Sequence, residues 1–340
     1  MPHYDALLVV SFGGPEGPDD VLPFLENVVR GRNVPRERLL AVAEHYHHFG
    51  GVSPLNQQNR DLIGALATEL GSHGIQLPIY FGNRNWHPLL ADTLREMAEA
   101  GVRRALALVT SAYSSYSGCR QYREDIQRAQ AAVGAAAPQI DKIRAFFNHP
   151  GFIDATTQCV DEALKQFPDE QRGPTGLFFS AHSIPTAMAA GCAYESQLRE
   201  VGRLVAESLG KPWQLVFQSR SGPPTQPWLG PDVCDALRTV VNQRPLPNIV
   251  IAPIGFLSDH LEVLYDLDVE ARNVAEELGI NMVRAATVGK HPRFVAALRE
   301  LIEERLSSSP DRASVGLLAP LPDVCPDSCC PAARPGERRA

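Results

Sequence analysis

The chain has 340 residues, 44% of them hydrophobic and 21% charged, with a formal net charge of −7 at pH 7; that length exceeds one ordinary core and suggests two domains. The acidic balance argues against a broad nucleic-acid footprint, although a local basic pocket can still receive an anionic small molecule. No apolar run approaches the roughly 18 residues of a membrane span, and the start, Met1-Pro2-His3-Tyr4-Asp5, lacks the basic and apolar regions of an export signal, so a cytoplasmic protein without a transmembrane segment is expected.

In chain order, strand-like runs fall at Ala6 to Phe12, Pro78 to Gly82, Ala105 to Thr110 and Ile143 to Phe147, each separated by a segment of helical period. Such alternation implies βαβ units and a parallel sheet. Turn residues at Asn148-His149-Pro150-Gly151 mark a join before the amphipathic stretch Ile153 to Phe167. The pattern then restarts with strands at Gly176 to Phe179, Gln214 to Gln218, Asn248 to Ile254 and Asn281 to Ala286, and with helices around Ser196 to Leu209, Asp232 to Asn242, Leu261 to Leu278 and Pro292 to Leu306. The reading is an α/β protein of two similar Rossmann-like halves, each a parallel sheet flanked by helices, over 1–148 and 149–308, with a ligand cleft between them and a Cys-containing tail over 309–340.

The first strand ends in Ser11-Phe12-Gly13-Gly14-Pro15-Glu16. This glycine turn lacks the third glycine of a dinucleotide fingerprint and carries Pro15 where a donor N–H is wanted, which disfavours a nucleotide-dependent oxidoreductase and favours a tight turn over a cleft. The run Gly176 to Phe179 empties into Ser180-Ala181-His182-Ser183-Ile184-Pro185, placing an imidazole at the carboxyl end of a buried strand, the edge where ligands of open α/β sheets gather. Neither Ser180 nor Ser183 lies in a Gly-x-Ser-x-Gly elbow, so the imidazole is the better candidate than an acyl-transfer serine. After Ile249 to Ile254 comes Asp259-His260-Leu261-Glu262, and in a helix Glu262, Asp266 and Glu270 recur at i, i+4 and i+8 as one acidic stripe. Like charges so spaced repel by roughly 0.2–0.5 kcal/mol per pair. A solvated face is the plain explanation, but Leu261, Val263, Leu264 and Leu267 cover much of the remaining circumference, which turns some carboxylates toward the cleft to hold a cation or handle protons.

Seven cysteines is an odd number, and four lie scattered in the body, which does not suit a secreted disulfide framework. The other three, in Cys325-Pro326-Asp327-Ser328-Cys329-Cys330, are equally compatible with a zinc site, an iron–sulfur cluster or a redox-labile tail.

Taken together, Ser180 to Pro185, Gln218-Ser219-Arg220-Ser221-Gly222-Pro223 with Trp228-Leu229, Gly255 to Glu262, Gly50-Gly51-Val52-Ser53-Pro54-Leu55 and Gly82-Asn83-Arg84-Asn85-Trp86 resemble ferrochelatase, in the family's order, over residues 4 to about 306. The resemblance implies insertion of Fe²⁺ into a porphyrin with loss of two pyrrole protons. It makes His182 the proton acceptor, Glu262 its proton- or metal-handling partner, and Asp266 and Glu270 a path for protons or hydrated metal; mixed N/O donors suit Fe²⁺ without trapping it as thiolates do. Phe12, Ile184 and Trp228 are wall candidates for bending the macrocycle. Likeness to the bacterial coproporphyrin enzymes puts Arg30, Tyr46, Ser53 and Tyr122 at propionate-holding positions and makes coproporphyrin III the expected substrate over protoporphyrin IX. Two departures stand out: His45 occupies a position where some relatives carry arginine, and Phe12 one where some carry an iron-ligating tyrosine. Likeness to actinobacterial and animal members further implies a [2Fe–2S] cluster on Cys159, Cys325, Cys329 and Cys330, leaving Cys119, Cys192 and Cys234 as ordinary thiols. A two-lobed tetrapyrrole or metal-chelate carrier without chemistry is the rival of another class. Oligomeric state, and contact with a membrane surface or a neighbouring haem-pathway enzyme, are left open by the sequence.

Overall fold

A computed structural model describes residues 3–31, 34–172, 175–222, 225–243, 246–307 and 311–332. Pro223 of the glycine–proline motif, the tail's Ser308, Ser309 and Pro310, and residues 333–340 fall outside them. Two four-stranded parallel sheets form, and each has the same strand order. The first comprises β1 (Ala6–Ser11), β2 (Ile79–Asn83), β3 (Arg104–Val109) and β4 (Gln139–Lys142) in the order β2-β1-β3-β4; the second comprises β5 (Thr175–His182), β6 (Trp213–Gln218), β7 (Asn248–Ala252) and β8 (Asn281–Arg284) in the order β6-β5-β7-β8. In both, the chain steps first to one side of the leading strand and then to the other. The carboxyl ends of β1 and β5 therefore lie at switch points, where loops diverge and leave a crevice.

Strand alternation divides the apolar side chains between two sheet faces. The inner faces of both sheets share one core: Leu7, Val9, Leu106 and Leu108 from the first and Leu177, Phe179, Ala181 and Leu215 from the second meet around Phe146, Phe152 and Phe294. The outer faces have separate cores, Leu8, Val10, Leu94 and Ile126 on one side and Phe178, Val216, Ile251, Val263 and Leu267 on the other. Since Leu177, Phe179 and Ala181 face the shared core, Phe178, Ser180 and His182 point the opposite way, toward the helix that carries Val263 and Leu267.

The run Ile143 to Phe147, expected as a strand, is not one. β4 stops at Lys142, paired with Ala107 of β3, and after one more ladder bond, Ile143 N–H to Ala107 O at 2.9 Å, the chain turns inward. Ile143, Phe146 and Phe147 are buried as core filler, so their hydrophobicity reflects burial rather than pairing. The tail over 311–332 has neither helix nor strand, yet polar anchors hold it across both halves. Val315 N–H bonds Asn148 O, Asn148 Nδ2 bonds Leu318 O at 2.7 Å, and the Glu200 carboxylate accepts Leu317 N–H.

Candidate functional site

His182 ends β5, in register with Gln218 of β6. Its Nδ1 lies 2.5 Å from Ser183 O. A carbonyl only accepts, so Nδ1 carries a hydrogen, and in the neutral ring Nε2 is the nitrogen with the lone pair. That free nitrogen lies 3.8 Å from Glu262 Oε2. A strand end of the second half and a later helix thus present a base and a carboxylate to the same space, both partly open to solvent.

The acidic segment is a modified helix. Leu261–Val263 begins it, Leu264–Ala271 is π-helical, and Arg272–Glu277 returns to α geometry. In an α-helix residues four apart are rotated by about 40°; a π-turn holds more residues and is found chiefly at functional sites, so Glu262, Asp266 and Glu270 are spaced around the axis differently from the expected α-helix. His260 caps the start, its Nδ1 accepting Glu262 N–H at 3.2 Å, and burial lowers its basicity, which keeps that nitrogen free to accept. Leu261, Val263 and Leu267 are buried, while Glu262 and Glu270 are exposed and Asp266 is half-buried.

Asp266 accepts bonds from Ser219 Oγ and, at 3.3 Å, from Gln218 Nε2. Burial is the main reason its acidity is weakened, to a pKa of about 7; Glu262 and Glu270 push the same way and the Ser219 bond opposes them. Glu270 is also raised, by burial and then by Asp232. For Asp266 the linkage sign follows directly. A carboxyl whose folded pKa exceeds its unfolded value stabilises the fold fully below the ordinary carboxylate range, and that contribution disappears as pH rises through about 7. Replacing Asp266 with Asn is expected to remove this slope, worth on the order of 2 kcal/mol between pH 5 and pH 8, in chemical denaturation curves; an unchanged slope would refute the assignment.

From the first half, Tyr46 reaches this region. Burial and the Glu262 charge both raise its hydroxyl pKa, and its ring packs edge-on at 5.8 Å from Phe24. Phe24 also holds Phe12 at 6.2 Å and Trp86 at 6.2 Å, and Phe12 is 36% exposed, an apolar side chain open beside the β1 turn. Gly13 makes that turn at φ +84, and a Cβ there would meet Asn83 Cβ at 2.9 Å. Ser53 is buried, its Oγ 3.4 Å from Leu55 N at the start of helix Leu55–Ser72. Tyr122 is buried with the Arg84 guanidinium 3.9 Å above its ring, and Arg30 is exposed. Trp228 lies against Gly222 beside the His182 turn, where Pro185 pairs with it and Ser183 Oγ donates to Leu229 O at 2.7 Å. His45, one of the two departures, stacks flat on Tyr265 at 3.8 Å, so helix Arg36–His48 touches the π-helical segment directly. Burial, then Arg38 and His48, lower its basicity, and the ring acts there as a neutral plate.

The expected four-cysteine set is not assembled. Cys159 is buried in helix Pro150–Leu164 with Sγ 3.9 Å from Thr287 O; burial, followed by Glu162 and Asp259, pushes its thiol up to about 11. The tail thiols are held elsewhere, because Arg120 and Arg123 donate to Cys329 O at 3.0 Å and Cys325 O at 3.3 Å. Burial is the main reason the Cys325 and Cys330 thiols are pushed up, and Cys329, Cys119 and, for Cys330, Cys192 push the same way. Among the described residues no three His, Cys, Asp or Glu side chains are placed to hold a metal ion, so this quartet does not fit a [2Fe–2S] centre. By the same measure His182, Glu262, Asp266 and Glu270 do not form a closed coordination cage among the described residues. Cys159→Ser is expected to leave the visible absorption of the purified protein unchanged, and loss of a cluster band would show that Cys159 is a cluster ligand.

Gln218 and Ser219 were recognised in the sequence only as part of a motif, and their bonds to the acidic segment depend on strand register, which spacing does not reveal. The π geometry likewise had no signal beyond the clustering of acids.

The ferrochelatase family model matches residues 4–306. The chain belongs to that family. It is 56% identical to a ferrochelatase of Rhodopirellula baltica over 331 residues, covering 97% of this chain and 94% of the relative. It is 52% identical to the coproporphyrin III ferrochelatase of Streptomyces coelicolor, covering 98% and 94%. Among solved structures, SirB from Bacillus subtilis with Fe³⁺ superposes with a TM-score of 0.56 at 11% identity, covering 91% of this chain and all of SirB, and the siroheme-biosynthesis enzyme CbiX with 0.52 at 14%, covering 89% and all of CbiX. At such identities these two establish the two-halved chelatase fold alone. As a ferrochelatase the protein is an iron-handling enzyme of haem synthesis, with a porphyrin and Fe²⁺ as its substrates, and no helix among its described residues is long and apolar enough to cross a membrane.

Proposed function

We propose that this enzyme inserts Fe²⁺ into coproporphyrin III, with His182 taking the pyrrole protons and Glu262 passing them outward or receiving the metal. The observation that carries the reading is the tautomer at His182: with Nδ1–H bound to Ser183 O, the lone pair of Nε2 is aimed into the space shared with Glu262. A neutral imidazole is suited to removing a proton, and an adjacent carboxylate stabilises the imidazolium that results. Glu262, Asp266 and Glu270 then offer a graded line for proton exit or metal entry, since the inner acid is half protonated near neutrality. On the first half, Phe12, Phe24 and Trp86 supply an apolar wall against which a flat macrocycle can be bent, exposing its nitrogen lone pairs. Trp228, next to the base, is proposed as the facing wall.

Coproporphyrin III is favoured over protoporphyrin IX by relatives such as the Streptomyces coelicolor enzyme. Four propionates need more rim donors than two, and Arg30, Tyr46, Ser53 and, through Arg84, Tyr122 are proposed to answer them. The [2Fe–2S] centre has no part in this proposal. Purified enzyme mixed anaerobically with Fe²⁺ and each porphyrin is expected to shift the Soret band, with a higher kcat/KM for coproporphyrin III. A preference for protoporphyrin IX would overturn the substrate, and binding of both without metal insertion would favour a carrier.

A further inference from the structure

Gln218 touches both halves of the reacting pair without facing the reaction itself. Its main-chain oxygen accepts Ser183 N–H at 2.8 Å, closing the turn that bears His182. Its side-chain Nε2 donates to Glu262 O at 3.2 Å and to Asp266 Oδ2 at 3.3 Å. The side chain is 1% exposed, and Oε1 is buried without a partner among the described residues; a buried polar atom left unpaired is costly, so the orientation is set by what Nε2 gains. Ser219 follows with φ +60, a left-handed conformation that disfavours a non-glycine side chain and is found where surrounding structure demands it. That conformation aims Oγ at the same Asp266 oxygen.

We propose that Gln218 and Ser219 are the positioning residues of this site, a two-residue clamp that sets the His182–Glu262 separation and holds the π-helical acids in line with it. The physical basis is shared anchorage. A π-segment can relax to α geometry by shifting its bonds, which would rotate Glu262 and Asp266 relative to β5. Bonds from one residue to both the strand turn and the helix make that rotation cost two contacts at once. Rate depends steeply on such placement, since an error of 1 Å at reacting groups can cost about a hundredfold. Metal-free porphyrin, by contrast, is bound by walls and rim that the clamp does not touch.

The inference rests on the ferrochelatase reading, and the test separates the two. Gln218→Met keeps length and removes both donors; Ser219→Gly accepts the left-handed backbone and removes the hydroxyl. Iron insertion is followed anaerobically with Fe²⁺ and coproporphyrin III varied independently, alongside fluorescence titration of metal-free porphyrin and thermal melting. Gln218→Met is expected to lower kcat roughly tenfold or more, and Ser219→Gly several-fold, with porphyrin KM and affinity within about twofold of the parent. Insertion within twofold of the parent in both variants, or porphyrin affinity falling in step with rate, would overturn the clamp. Failure of the parent protein to insert iron would instead remove the underlying reading. Should Gln218→Met not fold, Ser219→Gly alone decides the matter by the same criteria.

Discussion

His182→Ala is expected to lower the rate of iron insertion by about 10²–10⁴-fold, the usual worth of a positioned general base, while metal-free porphyrin still binds. The geometry makes this specific. His182 has Nδ1 tied to a backbone carbonyl and Nε2 turned to a carboxylate at 3.8 Å, at the strand end where the two segments meet. His260, the other imidazole nearby, is occupied as a helix cap through Nδ1 and is made less basic by burial, so it is a poor substitute. Stopped-flow absorbance in the Soret region, with fluorescence titration for porphyrin affinity, separates the two effects. Retention of more than a tenth of the parent rate would remove His182 from the proton-accepting role.

The second large effect concerns stability. Arg144→Met is expected to destabilise the fold by about 3–5 kcal/mol, the cost of leaving a buried charge without its partner. Arg144 is 2% exposed, and its Nε and Nη2 each donate to Glu304 at 2.8 Å, while Nη2 also reaches Ala313 O at 2.9 Å. Glu304 in turn accepts Ala313 N–H at 3.0 Å. One ion pair therefore links the first half, the closing helix Pro292–Leu306 and the start of the tail. The double variant Arg144→Met, Glu304→Leu is expected to recover much of the loss, because removing both charges of a buried pair is far less costly than removing one. Denaturant melts of the two variants decide this, and a single variant within about 1 kcal/mol of the parent would show that the pair is not stability-determining.

Much of the architecture could be read from local pattern. Runs such as Ala6 to Phe12 and Gly176 to Phe179 are continuously apolar because parallel strands are covered on both faces, and the helices between them keep their own period. The repeat of that pattern after Pro150 foretold a second sheet, and the sheets proved to share one strand order. Ile143 to Phe147 misled because a buried connection and a buried strand carry the same composition. His182 and Glu262 were legible as candidates because His182 ends a buried apolar run at the edge where ligands bind and Glu262 opens the acidic helical segment that follows the next-but-one strand.

The amino-acid sequence by itself determined which segments fold as strands and helices, which residue types can carry proton and metal chemistry, and the family to which the chain belongs. Tertiary structure alone decided how those residues meet. The His182 tautomer depends on a carbonyl brought near by the turn after β5, and the acidity of Asp266 on burial beneath neighbours from β6. The acids are carried on a π-turn that no α-helical spacing announces. The cysteines show the same division: their number and crowding are evident in the chain, but the seat of the tail is set by Arg120 and Arg123, which donate to the Cys329 and Cys325 carbonyls. Periodicity records whether a side chain is buried. Distance between segments far apart in sequence is fixed by packing, and chemistry depends on distance.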